Sequence, residues 1–257
     1  MLNAMRHWAV HTKLVKVLDE GRLENTEIAD SLFNQKTGLD PWFESDSSIW
    51  LIHWELVTQE HLITYYWLFN KNNKPQLDRD TFARAIKQHL DEQDIKHPSD
   101  LTLKRDIECF IRNYTHRKSA KTNALTEESV EGPLVELGLI NRIENDAIEL
   151  VRGPKPNLSE KAFLYFLMRF WSEAFPSART LSLEAATYDE KSPGRVFLLD
   201  ENSIIDYAER IALLDIDIKW SETAGVRQFS TNRDPQKLVK DSMAIFRNSY
   251  KNRASAK

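Results

Sequence analysis

"EGPLVELGLINRIENDAIELVRG", residues 131–153, changes its period halfway along. Up to Leu137 the apolar residues sit at helical steps. Beyond Gly138 they alternate about a polar turn at Glu144–Asp146. A helix, then "ELGLI", then a two-stranded ribbon is the order of a winged-helix module, recognition helix followed by wing. We read this module over 127–152. The same order recurs over 1–30, where "TKLVKVLDEGRLENTEIAD" turns at Asp19–Gly21. It recurs again over 178–231: "GRVFLLDENS" reads as a strand, and "DIDIKWSETAGVRQFS" as a strand pair joined across Glu222–Gly225. Three occurrences without a constant period are not a solenoid.

Between these ribbons the spacing is helical, and the chain has only seven glycines. Helices are expected near 1–12, 47–69, 78–92, 100–113, 127–138, 158–175, 201–214 and 235–250, with Ser203 or Asn202 capping the one at 201. The fold class that follows is mainly α with short β-ribbons (α+β): tandem winged-helix-like modules around a helical middle. The expected division is a partial winged-helix-like module at 1–37, a helical middle at 38–125, a second module at 126–176, and a C-terminal helix-plus-ribbon module at 177–257 ending in a basic helix.

"GLDPWFESDSSIWLIHWEL", residues 38–56, crowds Asp40, Glu44 and Asp46 ahead of an apolar run containing His53. Gathered acids suggest a metal site, but helix-capping physics explains them better. Asp46, Ser47 or Ser48 is a natural N-cap, and carboxylates suit the positive end of the helix dipole. The run that follows is apolar on nearly every side, as a buried central helix is, so Trp50, Leu51, Trp54 and Leu68 are expected in the core.

The formal net charge is −4, unevenly spread. From Arg227 to the end eight Lys/Arg face two Asp/Glu, a local +6 that leaves −10 for the rest. "RNYTHRKSAK", residues 112–121, holds four basic residues and no acid. Such clusters are either solvated surface or a phosphate footprint. Read as the latter, they make Arg112, Arg117, Lys118, Lys121, Lys237, Lys240 and Arg247 candidate DNA contacts. Tyr114 and His116 offer flat side chains beside them.

No apolar run is long enough to span a bilayer, and no signal peptide is evident, so a cytoplasmic, membrane-free setting is expected. A single cysteine, Cys109, excludes an internal disulfide and a cysteine-based zinc site. There is no glycine-rich phosphate loop, nucleophile elbow or HExxH. His7 and His11 have i, i+4 spacing but lack the adjacent glutamate and an evident third ligand. "DIDIK", residues 215–219, places Asp217 and Lys219 two apart, on one face if the segment is a strand. A carboxylate holding Mg²⁺ or Mn²⁺ beside a lysine that steadies a phosphate is the second half of a nuclease constellation. Asp206 or Glu209 would supply a further carboxylate. An exposed strand face with a Coulomb pair explains the same residues.

"GLDPWFESDSSIWLIHWEL", "YYWLFN", "RDIECFIRNY", "GPLVELGLI" and "SPGRVFLL" occur in that order over most of the chain. Together they resemble the bacterial domain of unknown function number four thousand and seven. That domain is found with DNA phosphorothioation gene clusters and in SspB-type nickases. The resemblance implies a DNA-acting protein of sulfur modification or linked phage defence, with other proteins of that system as partners. It assigns no catalytic residue and no certain cofactor. Family members carry an additional part ahead of a helix resembling "NMLNAMRHW"; here Met1 falls inside that expected recognition helix, which bears Asn3 and Arg6. Either the chain is a shortened member or its start lies upstream. The function expected is a DNA-binding component of such a system, with metal-dependent strand nicking as its enzymatic form. The alternatives are a non-catalytic adaptor that recruits the modification or nuclease partner, and a transcriptional regulator.

Overall fold

A computed structural model describes residues 2–116, 131–144, 147–214, 216–223 and 225–250. It divides into two compact units. One joins residues 1–58 to 153–257, and the other is the continuous stretch 59–152.

The first unit is built on α3 (Asp46–Val57) and α7 (Glu160–Ala174). From Ile49 to Val57 nearly every residue of α3 is buried, as its all-round apolar sequence requires. Along α7 the recurrence of Phe163, Phe166, Leu167 and Phe170 gives the buried stripe, and Ser159 caps the start by accepting from the Ala162 amide. Trp54 stacks on Phe166 with ring centroids 4.9 Å apart, and Phe197 meets Trp50 edge-on at 5.1 Å. Aromatic groups so enclosed each contribute roughly 1.5–3 kcal/mol. Trp50, Leu51 and Trp54 are buried as expected. Helix α11 (Pro235–Arg247) packs along α7, with Phe246 stacked 4.9 Å from Tyr165.

Ahead of α3 come α1 (Leu2–His11), the antiparallel ribbon β1 (Val15–Val17) and β2 (Leu23–Asn25), and α2 (Glu27–Phe33). The ribbon turns through Asp19–Gly21 as expected. Helix α2 was not expected, although Thr26, which accepts from the Ala29 amide, is an ordinary N-cap.

After α7 the chain runs through β6 (Thr180–Ser182), α8 (Leu183–Tyr188), α9 (Pro193–Val196), α10 (Glu201–Ile211), β7 (Lys219–Thr223) and β8 (Val226–Ser230). The strands form a sheet in the order β6-β8-β7. The expected strand at 194–203 is absent. Ser192 caps α9, Pro193 fills its first turn, and Asp200, not Ser203 or Asn202, caps α10. Gly194 sits so close to Thr187 that a Cβ would lie 2.2 Å from the Thr187 carbonyl oxygen. That approach folds α9 down onto α8.

The second unit begins with α4 (Ile63–Tyr66), which widens into a π-turn at Trp67–Lys71. Then follow β3 (Gln76–Leu77), α5 (Arg79–Glu92), α6 (Asp100–Tyr114), a 3₁₀ turn (Pro133–Leu137), β4 (Ile140–Arg142) and β5 (Ile148–Leu150). Its sheet order is β3-β5-β4. Phe69, Phe82, Phe110 and Tyr114 form an aromatic core, with Phe110 and Tyr114 at 5.0 Å, and Leu68 is buried beside them in the same unit. Asp78 and Ser99 cap α5 and α6 by accepting from the amides of Thr81 and Thr102.

Two expected helices differ. The run at 47–69 is not continuous: α3 ends at Val57, where the Thr58 hydroxyl turns back onto the Trp54 carbonyl at 2.8 Å. The polar "TQEH" that follows cannot continue an all-round apolar helix. Of the expected helix at 127–138, residues 127–130 lie outside the described residues. The remainder is a single 3₁₀ turn closed by Gly138 in the left-handed region (φ 61°). The ribbon at 140–150 therefore does not follow a long helix at that point. Its sheet is completed by β3, from inside the expected helical middle.

Candidate nucleic-acid interface

One acid of the 38–56 stretch, Asp40, holds a loop. Asp40 is buried, and its Oδ1 accepts from the Glu44 amide at 2.8 Å while Oδ2 accepts from the Ser45 amide at 3.0 Å and the Ser48 hydroxyl at 2.6 Å. The N-cap position is Ser45, whose side chain makes no capping bond; Asp46, Ser47 and Ser48 lie inside the helix. Asp40 thus orders the α3 start from five residues upstream.

Deeper in the same unit, the Arg169 guanidinium bonds Glu55 Oε1, and Lys13 Nζ lies 2.8 Å from Glu55 Oε2. Burial alone would raise the Glu55 pKa, but the two cations hold it below the usual range. His53 Nε2 donates to the Val196 carbonyl at 2.7 Å, and complete burial pushes its pKa down to about 3, so it is neutral. These groups fasten the core.

The expected DNA contacts fall in separate places. Arg6 is exposed on α1, while the side chain of Asn3 lies outside the described residues, as do Arg117, Lys118 and Lys121. Lys237, Lys240 and Arg247 form an exposed stripe on α11, opposite Leu238, Ser242 and Phe246, which face the core. Arg112 is exposed near the end of α6, on a helix that also presents Lys104 and Arg105 to solvent together with Asp100 and Asp106.

Around Glu108 of α6 the second unit gathers three guanidinium groups. Arg79 Nη1 lies 2.7 Å from Oε2, Arg112 Nε 3.5 Å from Oε1, and Arg142 Nη2 4.0 Å from Oε1. Arg142 Nε also donates to the Thr115 hydroxyl at 2.8 Å, which fixes the guanidinium plane. Of these residues the sequence reading singled out Arg112 alone. Positions 79, 108 and 142 share no spacing that periodicity could reveal.

The nuclease candidates are arranged differently from the expectation. Lys219 opens β7, but Asp217 precedes the strand, in a bend where its Oδ2 accepts from the Asn232 amide at 3.3 Å. The two-residue strand repeat therefore does not set their relative direction. Asp206 is exposed on α10. Among the described residues no three His, Cys, Asp or Glu form a group that could hold a metal ion. The His7 and His11 rings lie 4.1 Å apart, edge to face. No helix among the described residues is long and apolar enough to cross a membrane.

A family model described as "Protein of unknown function (DUF4007)" matches residues 1–250. No curated protein matches the chain. Two solved structures are similar over 98% of this chain and 76% of theirs, each at 22% identity: "SspB crystal structure" with a TM-score of 0.83, and "Magnesium ion-bound SspB crystal structure" with 0.82. At that identity the likeness establishes a shared fold.

Proposed function

The chain belongs to the DUF4007 family, and from that premise we propose that it is a DNA-binding component of a DNA phosphorothioation or linked phage-defence system. One observation carries the DNA reading. Helix α6 is the third helix of a run of helix, strand, two helices and a hairpin whose first strand pairs with the last. In a winged-helix module that helix meets the major groove. Here it exposes Lys104, Arg105 and Arg112. The sequence continues into Arg117, Lys118 and Lys121, and α11 adds Lys237, Lys240 and Arg247. The N-terminal helix would contribute Asn3 and Arg6.

Metal-dependent nicking is the finer form of this proposal. Asp217, with Asp206, would hold Mg²⁺ or Mn²⁺, and Lys219 would steady the phosphate. A nicking assay on supercoiled plasmid with either metal tests it. Asp217→Asn removes the charge a divalent ion needs and should reduce nicking by orders of magnitude while duplex affinity stays near the parent's. Retained nicking in the folded variant removes Asp217 from the reaction.

The adaptor reading has its own support. In the C-terminal module α10 is the last helix before the hairpin, and it exposes Asp206 and Glu209 beside Arg210. That face suits a basic protein partner better than phosphates. Binding of duplex without metal-dependent cleavage, with co-purification of a system protein that depends on Asp206 and Glu209, would favour the adaptor.

A further inference from the structure

The Glu108 cluster holds more positive charge than its ion pairs use. Three guanidinium groups share one carboxylate, and only Arg79 makes a short contact with it. The acids that flank Arg79 in sequence are engaged elsewhere: Asp78 caps α5, and Asp80 faces Lys104 at 3.8 Å. Arg79 Nε is buried and has no hydrogen-bond partner among the described residues. Arg142 is only 18% exposed and its plane is fixed by Thr115, while Arg112 is 53% exposed. The result is a cluster with a net charge of +2 (three guanidinium groups against Glu108), in which Arg79 and Arg142 are held in place and Arg112 forms the open side. A guanidinium fork matches the oxygens of a tetrahedral oxyanion.

We propose that Arg79, Arg112 and Arg142 form a phosphate-binding site, with Glu108 as the internal carboxylate that keeps the guanidinium groups in place when no phosphate is bound. The chemistry recognised is a phosphate group, carried either by a nucleic-acid backbone or by a free phosphate compound. The backbone source deepens the DNA reading above and rests on it; the free source does not.

The sign of one substitution separates this site from a purely structural ion-pair network. Glu108→Gln removes the competing negative charge. It should tighten phosphate binding, read as a larger rise in the melting temperature on adding inorganic phosphate. A structural network would show only a lower melting temperature and no larger response to phosphate. Arg112→Gln with Arg142→Gln should abolish the phosphate response. The same double variant should flatten the dependence of log duplex affinity on log salt by roughly 0.9 for each guanidinium that touches a backbone phosphate.

A flattened slope with little response to free phosphate identifies the DNA backbone as the source. A phosphate response with an unchanged slope identifies a free phosphate compound. If the parent binds no duplex yet responds to phosphate through these arginines, the DNA reading fails and the site stands. If the double variant leaves both measurements unchanged, or Glu108→Gln weakens both, the site is overturned.

Discussion

Two parts of this molecule follow the same path and use it differently. Residues 63–150 and 160–230 each run helix, strand, further helices (α5 and α6 in the first; α8, α9 and α10 in the second) and a hairpin, and each sheet places its first strand beside its last, as β3-β5-β4 and β6-β8-β7. In the first part a charged cluster is half-buried with one side open to solvent, Arg79, Arg112 and Arg142 around Glu108. In the unit that contains the second part, ionic and polar contacts run inward. Arg169 of α7 and Lys13 meet Glu55 of α3, and His53 meets the Val196 carbonyl. The last α-helices before the hairpins differ too: α6 exposes Lys104, Arg105 and Arg112, whereas α10 exposes Asp206 and Glu209. Strand order therefore does not decide which charges a part presents; the side chains placed on it do.

The largest expected effect tests the inward half of this contrast. Glu55→Gln leaves Arg169 buried without its anion and should lower the stability of the first unit by about 3–5 kcal/mol. Hydrogen exchange should show lost protection in α3 and α7 with unchanged protection in α5 and α6. Equal losses in both units would break the contrast.

The next is a pH effect. His53 has its pKa lowered from the ordinary 6.5 to about 3 in the folded state by burial. Below 6.5 the unfolded chain takes up a proton that the folded chain refuses. Stability is therefore complete above 6.5 and declines as the pH falls from 6.5 toward 3, by up to roughly 1.4 kcal/mol per pH unit. His53→Asn keeps a donor for Val196 and should remove that one-proton slope from denaturant titrations. An unaltered slope would mean that His53 is not the group responsible.

The smallest effect sharpens the contrast between the helices. Lys104→Glu with Arg105→Glu should weaken duplex binding and reduce its salt slope by roughly 0.9 per lost phosphate contact. Asp206→Lys with Glu209→Lys should not weaken it. Gel-shift titrations across a salt series measure both, and equal responses would put α6 and α10 in one role.

Much of this was legible because the signals were local. Helices α5 and α7 carry clear three- and four-residue apolar spacing, and Asp78 and Ser159 mark their starts. Ile216, Ile218 and Trp220 alternate into the ribbon at 219–230. Residues 194–203 misled because Val196, Phe197, Leu198 and Leu199 are all buried, and a continuous apolar run has no period to read. The decisive sign there was Ser192–Pro193, a helix start. Strand β3 is two residues long, too short for alternation, so the sheet order could not be foreseen. The candidate site was legible only in part: Arg112 stood out in a basic run. Arg79 and Arg142 reach Glu108 through the packing of α5, α6 and the hairpin, which no spacing in the chain encodes.

The first unit is made of two distant stretches of chain, and this orders events during synthesis. Helix α3 ends at Val57 and α7 begins at Glu160. At about 5–20 residues per second the ribosome takes roughly 5–20 s to cover that interval. Throughout it, Trp50, Trp54 and their apolar neighbours have no Phe166 or Phe197 to meet, and only near its end are residues 59–152 complete and able to collapse on their own aromatic cluster. The nascent chain thus carries a finished bead behind an exposed, tryptophan-rich helix. That helix is the natural place for a chaperone to bind until α7 clears the exit tunnel.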